Sequence, residues 1–93
     1  MEKETVRVIF KITPYTGDCI AFLPDALATP GGIMSYMHVG QHAEACKEYF
    51  YDCTHATLDE SKELEEEIVK IYDAEVIRIK RLPSWWSWFD TGE

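Results

Sequence analysis

Apolar and polar residues alternate through TVRVIFKIT (5–13). Val6, Val8, Phe10 and Ile12 fall on one face, and Arg7 and Lys11 on the other, the period of two that marks a half-buried strand. Pro14-Tyr15-Thr16-Gly17 reads as a turn, since proline presets its own dihedral and glycine allows a positive φ. DCIAFLP (18–24) is apolar on both faces, which fits a central strand returning as a hairpin and stopped by Pro24. DALATPGG (25–32) is a loop. IMSYMHV (33–39), bracketed by Gly31-Gly32 and Gly40, predicts a strand with Met34, Tyr36 and His38 on one face; the alternative is the start of a helix. Residues 40–45 read as a connection or a short helical turn, and KEYFYDCT (47–54) as a strand carried by Tyr49, Phe50 and Tyr51.

The helical period enters after Thr57. Thr57 followed by Glu60 is a capping box, and Asp59 and Glu60 suit the positive end of the helix dipole. Leu64, Ile68, Ile71 and Tyr72 share one apolar face, with Glu63, Glu66, Glu67 and Lys70 opposite, so a helix is predicted from Leu58 to about Tyr72. AEVIRIKRL (74–82) is the last strand, ended by Pro83. The order predicts an α+β fold, β-β-β-β-α-β: a mostly antiparallel sheet of four to five strands with one helix packed on one face. Residues 1–83 form the domain and residues 84–93 an aromatic tail. One helix covers one face, leaving the other to solvent, the tail or a second subunit.

Composition narrows the function classes. The 93 residues allow one domain, and 46% hydrophobic content is too high for a disordered chain. No apolar run approaches the roughly 20 residues of a membrane helix, and the mixed-charge N-terminus is unlike a signal peptide. The expectation is a soluble, cytoplasmic protein with reduced thiols at Cys19, Cys46 and Cys53. Seventeen acidic against nine basic residues give a net charge of −8. That charge argues against direct nucleic-acid binding and against anionic membranes, and would attract a partner with a basic surface. It equally serves solubility.

Five groups could carry chemistry. His38, His42 and Cys46 are four apart and would form a zinc-competent stripe on a continuous helix, although the spacing fits no standard finger. Cys53 and His55 are the least a thiol nucleophile needs, but no serine elbow, phosphate loop or dinucleotide fingerprint accompanies them. Glu63, Glu66 and Glu67 belong to a helix dominated by acids, either a solvated face or a mimic of a phosphate row. Trp85, Trp86, Trp88 and Phe89 crowd the tail, as a lid over the open sheet face or an anchor in a partner or a sister subunit. Tyr36, His38, Gln41 and His42 set hydrogen-bonding groups beside a glycine, as a ligand contact or a satisfied strand end.

CIAFLPD (19–25), SYMHVGQH (35–42) and ATLDE (56–60) opening a helix resemble a group of small bacterial, phage and mobile-element proteins without an established activity. The likeness spans residues 18–82 and excludes the tryptophans. It implies a context rich in small acidic proteins that block host defence enzymes. Together these readings predict a non-enzymatic acidic binding module with a protein partner and no cofactor. The alternatives are a zinc-binding or hydrolytic protein and a structural homo-oligomer.

Overall fold

The computed structural model describes residues 4–26, 31–37 and 41–86. β1 (Glu4–Ile12) and β2 (Cys19–Leu23) form an antiparallel hairpin with Ile9 opposite Phe22 and Ile12 opposite Cys19. The turn between them is closed by Thr13 N–H to Asp18 O and Gly17 N–H to Thr13 O, with Gly17 at φ 78°. β3 (Gly32–Met37) pairs with β2, and β4 (Gln41–Cys46) pairs with β3, both antiparallel. A short helix, α1 (Lys47–Asp52), leads to the two-residue β5 (Thr54–His55), then α2 (Leu58–Tyr72) and β6 (Ala74–Arg78). The fold is α+β, and the sheet runs β4-β3-β2-β1-β5, with β6 also on β1.

β1 holds the sheet together because it is long enough for three partners. β6 lies parallel to its first half, from Glu4 opposite Ala74 to Val8 opposite Arg78. β5 lies antiparallel to Lys11 and Ile12. Ile79 N–H reaches Val8 O, and Ala56 N–H reaches Phe10 O. Carbonyls two residues apart face the same way, so β6 and β5 share one edge of β1, end to end.

Alternate residues sort into two cores, one on each face. Val8, Phe10, Ala21, Leu23 and Tyr36 meet Leu64 and Ile68 of α2. Ile9, Ile20, Phe22, Ile33 and Ala45 meet Phe50 and Cys53, with Tyr49, Ile79, Leu82 and Trp86 packed around them. The second face is therefore covered within the chain by α1 and the segment after β6. β2 is buried on both faces, as its unbroken apolar run predicts.

α2 begins as its sequence requires: Thr57 Oγ1 accepts from Glu60 N–H, and Glu60 Oε1 accepts from Thr57 N–H. Its buried line is Ser61, Leu64 and Ile68, whereas Ile71 and Tyr72 emerge to solvent in the last turn. Asp73, in the left-handed region at φ 50°, is the whole link to β6.

Three expectations are corrected. Residues 41–46 are a strand, not a connection, because the pairing of Met37 with Gln41 through Gly32 with Cys46 fixes an edge that propensity alone does not mark. Residues 47–52 are helical, not extended. There Tyr49, Phe50 and the following Cys53 turn together onto the sheet, a spacing that suits a helix and would split across a strand. Lys11 is not on a polar face. It is 5% exposed, and its Nζ donates to Phe50 O at 3.0 Å while lying 3.9 Å from the centroid of the Phe50 ring. Phe50 is in the last turn of α1, where carbonyls lack helical donors and no basic residue is present. Lys11 reaches across from β1 to cap that end.

Candidate partner-binding surface

The solvent side of α2 is built by helical geometry. With Ser61, Leu64 and Ile68 inward, Asp59, Glu63 and Glu66 fall on the outer stripe. They follow one another at about 6 and 4.5 Å along the axis. None makes an ion pair or side-chain hydrogen bond among the described residues. Lys62 lies beside the stripe and Lys70 continues it one turn beyond Glu66, both exposed.

Two further acids of this helix are spent inside the molecule. Glu65 accepts from Arg78 Nε at 2.7 Å, while Arg78 Nη1 donates to the buried Ser61 hydroxyl. Glu67 Oε1 accepts from the hydroxyl of Tyr36, a residue 1% exposed, at 2.7 Å. Of the three glutamates the sequence singles out, Glu63 and Glu66 face solvent, and Glu67 is half-buried against β3.

The SYMHVGQH segment contributes to this attachment. Tyr36 and His42 are cross-strand partners with ring centroids 4.8 Å apart. His42 Nε2 lies 2.8 Å from the Tyr72 hydroxyl at the end of α2. Burial raises the Tyr72 phenol above its ordinary value. The arrangement ties β3 and β4 to the C-terminal half of α2, on the same side as the acidic stripe. Gln41 opens β4 opposite Met37; His38 lies outside the described residues.

Among the described residues, the metal candidates His42 and Cys46 are not brought together. His42 and Cys46 stand on one strand four residues apart, about 13 Å, too far to share an ion. Among the described residues no three His, Cys, Asp or Glu side chains come together in a metal-binding group. Cys53 packs into the core beside α1, and burial pushes its thiol up, partly opposed by the Lys11 ammonium. That is the reverse of an activated nucleophile. His55 is exposed on β5.

The tail begins on the face away from α2. Trp86 N–H closes a turn onto Pro83 O, and the Trp86 ring packs against the core that holds Phe22 and Phe50. Trp85 stands 56% exposed beside it, ring centroids 6.3 Å apart. Trp88 and Phe89 lie outside the described residues. The acidic stripe and Trp85-Trp86 therefore occupy opposite faces of the sheet, and one flat contact cannot include both. Neither Glu67's diversion nor this separation has a local signal; each depends on residues paired across the fold.

Cys19 gives the surface a pH limit. It lies at the margin of the α2 core, and burial, with the Glu60 carboxylate adding to it, raises its thiol from 9.0 to about 11. The folded chain holds this proton where the unfolded chain has released it. The associated stability is complete below pH 9 and is lost as the pH rises towards 11. Partial exposure screens the effect, so about 1–2 kcal/mol is expected. Denaturation midpoints should fall over this range in the native chain and fall less in Cys19→Ala; parallel curves would remove the assignment.

No family model, curated protein or solved structure matches the chain. Among the described residues, no helix is long and apolar enough to cross a membrane.

Proposed function

We propose that the protein is a non-enzymatic binding module that docks a basic protein surface through the outer stripe of α2. The observation that carries this reading is that Asp59, Glu63 and Glu66 have no ion-pair or side-chain hydrogen-bond partner among the described residues, while Glu65 and Glu67 fasten the same helix to the sheet. A helix held at both ends and along its inner side offers its charges at fixed spacing, so little ordering entropy is lost on binding. The net charge of −8 adds long-range attraction to a basic partner, screened by salt within about 8–10 Å. Blocking the basic groove of a nucleic-acid enzyme is the concrete form such an activity takes, in keeping with the mobile-element resemblance.

The test uses a lysine- and arginine-rich peptide as probe, followed by amide NMR. Shifts are expected along residues 59–66, with affinity falling steeply with salt. Asp59→Asn, Glu63→Gln and Glu66→Gln together should weaken binding about tenfold or more and flatten the salt dependence, at up to about 1 kcal/mol per exposed charge contact. Unchanged affinity in the triple variant, or shifts spread evenly over every acidic residue, would refute the reading.

A further inference from the structure

The edge of β1 where two strands meet end to end contains a concavity. β6 follows β1 as far as Val8, β5 starts at Lys11, and Phe10 lies between them, its carbonyl accepting from Ala56 N–H. A cleft of about 330 Å³ opens there, within the size range of small-molecule sites. Phe10, Leu58 and Ile79 give it apolar walls, and Leu58 is 68% exposed.

Its polar lining is basic in an otherwise acidic protein. Arg78, Lys80 and His55 all border the cleft. Arg78 is fixed in place: its guanidinium lies 4.5 Å from the Phe10 ring centroid and is bonded to Glu65 and Ser61. Its Nη2 is shut off from water and ion-paired with the same Glu65 carboxylate. Lys80 is exposed and has no ion-pair partner among the described residues. His55 sits opposite Lys11 in the strand register. Partial desolvation, then the positive charges of Lys11 and Lys80, depress its basicity. Two acids of the adjoining helix are already committed, Glu65 to Arg78 and Glu60 to the Thr57 N–H. Asp59 remains on the outer stripe.

We propose that this cleft binds a small organic phosphate monoester, the phosphate on Lys80 and the Arg78 edge with His55 as a further hydrogen-bonding group, and the organic part against Leu58, Ile79 and Phe10. A phosphate dianion matches the exposed Lys80 ammonium beside the Arg78 guanidinium, and charge-assisted bonds of this type are the strong ones. The apolar walls give the organic part a place that inorganic phosphate cannot fill. The site is separate from the outer stripe of α2 and stands whether or not that stripe binds a protein.

The experiment titrates the full chain with phenyl phosphate, inorganic phosphate and phenol, read by amide NMR. Phenyl phosphate is expected to bind at least fivefold more tightly than either fragment, with shifts at residues 55–58 and 78–80. Lys80→Gln, on an exposed side chain, should weaken it about tenfold with the melting temperature unchanged. His55→Asn should weaken it less. Equal affinity for phenyl phosphate and inorganic phosphate, shifts spread to Lys47, Lys62 and Lys70, or undiminished binding in Lys80→Gln would each overturn the proposal.

Discussion

Replacing Lys11 with alanine is expected to destabilise the protein by about 2–3 kcal/mol, although a lysine on a strand is ordinarily a surface residue. The side chain is 5% exposed, and its methylenes fill space between β1 and α1, at roughly 0.8 kcal/mol each. Its ammonium gives the Phe50 carbonyl a charge-assisted hydrogen bond, about 1.5–3 kcal/mol, and lies against the Phe50 ring. Desolvation of the charge offsets several kcal/mol of this, which keeps the net loss moderate. Lys11→Met keeps the stem and should recover about half of it. Burial also lowers the basicity of Lys11, against the pull of Cys53. In the window between its depressed folded value and the ordinary 10.5, the unfolded chain binds the extra proton. The Lys11 contribution therefore grows as the pH rises through that window, opposite in sign to that of Cys19. Urea midpoints at constant slope measure both effects, and a Lys11→Ala variant within about 0.5 kcal/mol of the native chain would show the cap to be incidental.

Phe22→Ala should cost more, about 3–5 kcal/mol. Phe22 is fully buried in the middle of β2 and meets Phe50 edge-on at 4.8 Å and Tyr49 at 6.5 Å. Those contacts seat α1, a helix of six residues that cannot persist without them. Because α1 carries the carbonyl that Lys11 caps, the two substitutions act on one unit. The double variant should lose less than the sum of the singles, by about 0.5–1 kcal/mol or more. Strict additivity would separate Lys11 from the seating of α1.

What the sequence discloses follows from the range of each interaction. β1, β2 and α2 are written in local periods, and the Thr57–Glu60 box marks the helix start to the residue. β4 and α1 are not. QHAEAC has little strand character and is extended because β3 supplies its partners. KEYFYD is rich in strand-forming aromatics, yet six residues are too few to display a helical period. The alternation in β1 marks Lys11 as outward because pattern alone does not include a helix arriving 36 residues later. The site divides the same way: Glu63 and Glu66 are placed by the helix alone, whereas Glu67 is withdrawn by Tyr36, 31 residues distant. The cleft has no sequence signature, since it arises where two strands share one edge.

The parallel pairing of β1 with β6 has a mechanical consequence. The five residue pairs from Glu4–Ala74 to Val8–Arg78 join the beginning of the first strand to the last one. Tension applied to the chain before β1 and after β6 would slide the two strands past each other, loading these pairs together instead of peeling them one by one. The single residue Asp73 couples β6 to α2, so the same load bears on the acidic helix with almost no slack. A partner pulling on α2 would meet a stiff body anchored in the centre of the sheet.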